Sequence, residues 1–570
     1  MSKIGYFLGF QNRKLLARTW ENKKPWNGKI LILLHRGHEH SERLDDIANY
    51  AEFDHFKKYS YDYRGHGHEK GELCYEFMDL VRDLDCFVKF VQEDAGVHPE
   101  NLFVIANSVA GVVSATWIHD YAPKIAGIAL IAPAFKIKLY VPFAKAGLAL
   151  LTKIRPKLHI KSYVKSKFLT HDINEQKKYN TDKLITPDIP AAQLVSLLNT
   201  AQRVVDNSAM ITVPTLILSA EQDYIVDNTV QRQFYDNLSS SIKKFIEMPK
   251  FFHGILYEKD KHIALSEIND FINQCFSDND KTDYLSKLVN LTQLQKDNMI
   301  SEPISFFDAC SYSLQRVLLK HFGSVSHGIR VGKKYGFDSG VTLDYVYHNT
   351  PQGFSFIGKM IDKNYLNSIG WKGIRIRKIN LESLLEKSIA EIQSQNRDVK
   401  ILDIAGGPAK YLVEMAKKHQ QIQILVRDYQ QQNIDVGNQY IEQHKLKNIA
   451  YEQADAFNPT NYSNANFEPN IVVISGVFEL FESNELIQKA IDGASSLLKS
   501  GDILLFTNQP FHPQLAQISN VLMNHQNEKW SMRIRSQYEI NRLFSNSGFE
   551  IEEMLIDDYG IFSVTKARKK

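Results

Sequence analysis

Short, mainly apolar runs recur along the chain, at residues 30–34, 103–106, 215–220, 399–404, 422–426, 470–474 and 504–506, and each is followed by a polar or small residue. Runs of this length suit strands buried on both faces, and the mixed polar and apolar stretches between them carry helical patterning. The pattern predicts an α/β chain. It occurs twice, on either side of an Asp/Asn/Lys-rich stretch at 276–283. At 570 residues the chain exceeds what one hydrophobic core serves, so two or three domains are expected.

In the first half, the run Phe103-Val104-Ile105-Ala106-Asn107 meets Ser108 and then the small, helix-starting residues Val109-Ala110-Gly111. A tight strand-to-helix turn of this kind lifts a serine oxygen above a sheet, where it can act as a nucleophile. Such a serine needs an acid and then a histidine from later loops of the same sheet. Asp223 follows the run 215–220, and His253 follows the strand-like 244–248. Taken singly, Asp223 reads as a helix cap and His253 as a surface residue; together with Ser108 they read as a proton-relay triad. Upstream, the run 30–34 ends at His35-Arg36-Gly37-His38, a turn whose amides can hold a developing oxyanion together with that of Val109.

The motif His35 to Arg43, the segment Tyr61-Asp62-Tyr63-Arg64-Gly65-His66-Gly67 and the serine turn resemble the monoacylglycerol lipase-like branch of the α/β hydrolases, also grouped as serine aminopeptidase-like hydrolases. The resemblance covers about residues 1–272. It implies catalysis by Ser108, Asp223 and His253, an oxyanion hole from the amides of Gly37 and Val109, and a lid inserted over about 134–200. Arg36 stands where that family usually has glycine, and Ala106 and Ala110 replace the glycines that usually flank the serine. The expected lid alternates Lys136, Lys138, Lys145, Lys153, Arg155 and Lys157 with leucines, Val141 and Phe143. Two readings stand equal: a cationic amphipathic surface for lipid-like acyl substrates and a membrane face, or a solvated charged face over an ordinary buried stripe.

In the second half, the run 399–404 feeds the turn Ala405-Gly406-Gly407-Pro408-Ala409 and a helical stretch. The next strand ends in Asp428, where a carboxylate can accept hydrogen bonds from ribose hydroxyls. NAD binding is the alternative, although the three-glycine fingerprint is incomplete and Asp455, after a third strand, suits an adenine contact. These residues resemble the class I S-adenosyl-L-methionine-dependent methyltransferases over about 395–570. The resemblance implies a Rossmann-like seven-stranded sheet ending in an antiparallel hairpin, with Asp403, Gly406 and Gly407 at the methionine end, Asp428 at the ribose and Asp455 near the adenine. His512, between Pro510 and Pro513, is a candidate substrate base or else an exposed loop residue. Residues 328–377, rich in aromatic and basic side chains, either cap the cleft or pack between domains.

The organisation expected is an α/β-hydrolase domain at 1–275, a linker at 276–300, a helical or irregular capping region at 301–394, and a methyltransferase-like domain at 395–570. The whole resembles the fused hydrolase–methyltransferase proteins of bacteria. With 68 basic and 65 acidic residues the net charge is only +3, which gives no global field for nucleic acid. The apolar start at 1–10 is too short for a secretory signal, and no run has the length of a membrane span. Four scattered cysteines have no metal-ligand spacing. A cytoplasmic enzyme with S-adenosylmethionine as cofactor and no metal is expected, with peripheral contact at the inner membrane through the lid. Two functions fit: a bifunctional ester hydrolase and methyltransferase, or a hydrolase regulated by a second half that only binds cofactor or a partner.

Overall fold

The apolar runs are strands of two separate sheets in a computed structural model that describes residues 2–69, 71, 74–141, 143–278, 282–301, 304–463, 467–524, 526 and 528–570. The chain divides into two units, Met1–Tyr284 and Leu285–Lys570.

In the first unit, β1 (Ser2–Gly9), β2 (Arg13–Trp20), β3 (Ile30–Leu34), β4 (Lys57–Tyr61), β5 (Leu102–Asn107) and β6 (Gly127–Ile131) precede an insertion. The insertion holds the short antiparallel pair β7 (His159–Lys161) and β8 (Asp188–Pro190), and β9 (Thr215–Ala220) and β10 (Lys243–Met248) follow it. Eight strands pair in the order β1-β2-β4-β3-β5-β6-β9-β10. The pairs β1–β2 and β2–β4 are antiparallel and the remainder parallel. All residues of β3, β5, β6 and β9 are buried, which accounts for their continuous apolar runs. Register aligns Leu34 with Ala106, Asn107 with Ile131, and Ile131 with Leu218, so the loops at these carboxyl ends share one crevice. The apolar start of the chain is the edge strand β1.

The second unit contains β11 (Lys400–Ile404), β12 (Gln423–Asp428), β13 (Ile449–Gln453), β14 (Ile471–Ile474), β15 (Ile503–Asn508), β16 (Phe549–Ile556) and β17 (Ser563–Lys569). Their order is β13-β12-β11-β14-β15-β17-β16. Five strands are parallel, and β17 lies antiparallel between β15 and β16, which makes the expected terminal hairpin. The chain works outward from β11 to β13 and then restarts at β14 on the other side of β11. That reversal opens a crevice beyond the carboxyl ends of β11 and β14.

The expected linker at 276–300 needs correction. Residues Leu285–Ser301 form a helix of the second unit, with Leu288 and Thr292 buried. The Thr292 hydroxyl donates to Glu539 at 3.0 Å and accepts from Arg533 at 3.0 Å. These buried partners lie far along the chain, so a polar local composition concealed the helix. The region after it is helical: Phe306–Phe322, His327–Tyr335, Gly340–His348, Phe356–Leu366 and the long Ile369–Ser394. Trp371 and Ile374 from the last of these pack with Trp530, Met532 and Phe562 in one cluster.

Candidate active sites

Ser108 sits between β5 and the helix Val109–Tyr121 with φ 53° and ψ −109°, a conformation non-glycine residues seldom adopt. Its amide donates to the Ile131 carbonyl at 2.8 Å, which fixes the turn to the neighbouring strand. Close approach of backbones falls at Gly111, where a Cβ would lie 2.7 Å from Pro133. Ala106 and Ala110 are simply buried.

The turn delivers Ser108 Oγ to 2.8 Å from His253 Nε2, and His253 Nδ1 lies 2.7 Å from Asp223 Oδ2. Asp223 Oδ1 accepts from the amides of Ile225 and Val226 at 2.8 and 2.9 Å. Burial works against the Asp223 carboxylate, yet attraction to His253 and these hydrogen bonds hold it below the usual aspartate range. A carboxylate at Nδ1 selects the tautomer with the proton there and leaves Nε2 bare for the serine hydroxyl. A Cβ on Gly37 would stand 3.0 Å from Val109 Cγ2, so the two expected oxyanion residues are neighbours. As the first helical residue, Val109 has an amide with no partner inside its own helix.

Arg36 is buried. Its guanidinium bonds Glu39 at 2.5 Å and lies 4.3 Å from the Tyr257 ring centroid. A Cβ on Gly254 would come within 2.5 Å of Arg36 Nη1, so the arginine packs beneath the loop that carries His253. Composition gave no sign of this support, because Glu39 and Tyr257 are far apart in sequence.

A cavity of about 190 Å³ joins Ser108, Gly37 and His253 to Leu139, Leu148 and Leu194 of the insertion. The helix Ala144–Ile154 has no buried residue. Its Leu150, Leu151 and Ile154, with Val141 and Phe143 before it, are exposed beside Lys153, Arg155 and Lys157. The apolar stripe is thus not buried beneath a charged face. Lys136 and Lys138 are engaged, with Asp227 at 3.0 Å and the Asp223 carbonyl at 2.6 Å.

In the second unit, three residues of the turn after β11 have left-handed backbones: Ala405, Gly407 and Ala409, at φ 58°, 61° and 45°. A Cβ at Gly407 would meet nothing within 4 Å, so its bare face opens on a cavity of about 1300 Å³. Asp403, Gly406, Asp428 and Asp455 line the same cavity. Asp403 is fully buried; its Oδ2 accepts from Tyr411 at 2.8 Å and its Oδ1 has no partner. Burial, helped by the charge of Asp428, pushes Asp403 up to about 8 against the bond from Tyr411. Asp428 Oδ2 accepts from Gly407 N at 2.8 Å, and its Oδ1 from Gln430 N and Asn433 Nδ2 at 2.8 and 2.9 Å. Asp455 Oδ1 accepts from the Phe457 amide at 2.9 Å. Tyr411 and Asn433 were not foreseen; only their spacing along the helices that follow β11 and β12 hints at them.

The exposed-loop reading of His512 needs correction. The residue is buried, and it receives the Gln514 amide on Nδ1 at 3.1 Å. Burial lowers its pKa to about 4, so the ring is neutral with its proton on Nε2. It lines a second cavity.

Residues 268–569 match a family model described as "Putative methyltransferase". The chain belongs to that family. Residues 27–260 of this methyltransferase-family protein match a second model, described as "Serine aminopeptidase, S33". The protein is therefore a fusion of an S33 hydrolase-type domain with a class I methyltransferase-type domain. It is 38% identical over 574 residues to "Uncharacterized protein YnbC" of Escherichia coli K12, covering 99% of this chain and 98% of that one. It is 26% identical over 280 residues to rat "Monoglyceride lipase", covering 47% of this chain and 90% of that protein. With "Phospholipase YtpA" of Bacillus subtilis the identity is 21% over 265 residues, covering 45% of this chain and 98% of that protein.

S-adenosylmethionine is the cofactor of the methyltransferase-type domain, and the cavity suits it. The partnerless Asp403 oxygen matches a cationic amino group, and the open face of Gly407 leaves room for a ligand's edge. Among the described residues no helix is long and apolar enough to cross a membrane.

Proposed function

We propose that the protein is bifunctional: a serine hydrolase that cleaves acyl esters of lipid-like substrates, monoacylglycerols or lysophospholipids, joined to an active S-adenosylmethionine-dependent methyltransferase. The observation that carries the hydrolase reading is the unbroken relay from Ser108 Oγ through His253 to Asp223, at 2.8 and 2.7 Å.

In this reading Ser108 Oγ attacks the ester carbonyl while its proton passes to His253 Nε2, and Asp223 holds the resulting imidazolium. The amides of Gly37 and Val109 receive the oxyanion. His253 then returns the proton to the departing alcohol, and water enters by the same relay to free the acid and restore the serine. The apolar lining from Leu139, Leu148 and Leu194 suits an acyl chain, and the exposed apolar and basic residues of the insertion suit an anionic lipid surface.

In the second domain, S-adenosylmethionine supplies an electrophilic methyl group when bound. The chain's own residues orient it: Asp403 at the methionine end, Asp428 at the ribose, and Asp455 near the adenine. The Gly406-Gly407 backbone admits it closely.

A fluorophosphonate tests the hydrolase reading. It should add mass at Ser108, and Ser108→Ala should lose both the label and hydrolysis of short acyl esters. Undiminished labelling of the alanine variant would sink the assignment.

A further inference from the structure

The second unit contains a cavity of about 640 Å³ beside the one that holds the glycine turn. Arg377, Gly476 and Trp530 line both, so the two spaces share a wall. The volume falls within the roughly 300–1000 Å³ of small-molecule sites. Its lining is strongly apolar, from Leu319, Ile329, Phe337, Trp371, Ile374 and Phe562.

Its polar lining includes Glu479 and His512, beside Gln509 Nε2 and Trp530 Nε1, which are buried donors without a partner. Glu479 is buried, and its Oε1 accepts from Arg377 Nη1 at 3.1 Å. Its Oε2 is buried without a partner. A buried carboxylate oxygen left without a donor is costly unless a ligand supplies one. His512 contributes the second group, its Nδ1 occupied by Gln514 and its ring set beside Gly370, where a Cβ would lie 2.8 Å from Nε2. Arg377 already neutralises Glu479, so the pair offers a dipole with a free acceptor and no net positive charge for an anionic head. A route inward is also visible. Exposed Leu314 and Ile357 lie one helical turn before Leu318 and Ile361, which line the cavity.

We propose that this cavity binds the methyl acceptor, and that the acceptor is an amphiphile whose apolar body fills the chamber and whose hydroxyl or amino head donates a hydrogen bond to Glu479 Oε2. The assignment rests on the methyltransferase reading of this domain. Gly476, whose φ of 73° favours glycine, lines both cavities, and a Cβ there would lie 3.3 Å from the Arg377 guanidinium. A fatty carboxylate is disfavoured at Glu479 itself, because its oxygens would face an acceptor there.

The test uses the full chain and three probes of equal length: decan-1-ol, decylamine and decanoate. Binding is followed by calorimetry and by the fluorescence of Trp371 and Trp530, which line the cavity with ring centroids 6.2 Å apart. The alcohol or the amine should bind at least tenfold more tightly than decanoate, and which of the two wins distinguishes an oxygen from a nitrogen acceptor. Glu479→Gln should weaken the favoured probe at least tenfold and narrow its lead over decanoate. Leu318→Gln, on an exposed helix face and so safe for folding, should weaken all three several-fold. Losses caused by these two variants separate this cavity from the one at Ser108. Decanoate binding as tightly as the alcohol and the amine, or affinity unchanged in Glu479→Gln, would overturn the head-group assignment. Failure of every probe in a protein that still binds S-adenosylmethionine would overturn the acceptor site alone, whereas failure to bind S-adenosylmethionine would overturn the reading beneath it.

Discussion

Replacing Asp403 with asparagine separates the charge of that side chain from its shape. Burial raises the Asp403 carboxyl from 3.8 to about 8, so at pH 7, one unit lower, about nine-tenths of the ligand-free protein holds it protonated. A cationic amino group arriving at the partnerless Oδ1 favours the carboxylate, and the proton must leave. Calorimetry in buffers of different ionisation enthalpy should therefore show S-adenosylmethionine binding to the wild type with release of nearly one proton per site at pH 7, falling toward zero well above pH 8. The cofactor's own amine also titrates in this range, so the informative quantity is the difference between wild type and Asp403→Asn. The variant should lack that release and bind the cofactor ten- to a hundredfold more weakly, since a charged hydrogen bond contributes roughly 1.5–3 kcal/mol. Stability without ligand has the opposite sense. Because the folded-state value is the higher one, the wild type should lose stability as pH rises from about 4 to about 8, by at most about 1.4 kcal/mol per unit, and the asparagine variant should lack this slope. Equal proton release and equal affinity in the two proteins would refute the reasoning.

Asp428→Ala should weaken S-adenosylmethionine binding more than tenfold by calorimetry, because it removes the ribose acceptor and also frees the Gly407 amide held at 2.8 Å; unchanged affinity would exclude the role. Arg36→Met should lower stability by about 3 kcal/mol, because it strips the buried Glu39 carboxylate of its nearest cation and leaves Arg43 at 3.4 Å; a denaturation midpoint equal to wild type would contradict this. Replacing Lys153, Arg155 and Lys157 together with glutamine should reduce hydrolysis of a lysophosphatidylglycerol relative to a neutral monoacylglycerol, and salt should mimic the change in the wild type because attraction is screened over about 10 Å at 0.1 M. An unaltered preference would return these side chains to simple solvation.

Much of both sheets could be read from the chain, because strands buried on both faces leave runs such as 30–34 and 399–404 that little else produces. Ser108 and Asp223 were legible for a related reason: each follows such a run, and parallel register brings those ends beside the end of the more polar edge strand β10, which precedes His253. The helix Leu285–Ser301 was not legible, since Thr292 finds Arg533 and Glu539 only after the whole second unit has folded. Nor was the support of Glu479 by Arg377, which joins residues 102 positions apart. The direction of the His512 proton depends on one backbone amide two residues away, a detail of loop geometry that sequence pattern does not carry.

Alanines at 405 and 409 hold left-handed backbones that glycine would adopt freely, at a penalty of roughly 1–2 kcal/mol each. That penalty falls on folding, once, and not on each encounter with a ligand. Glycine at these positions would relax the turn but widen its conformational repertoire, and every binding event would then have to restrict it again. A turn stiffened by two alanines moves the entropy of ordering out of the binding equilibrium, so weaker affinity, with every contact kept, is what their replacement by glycines would bring.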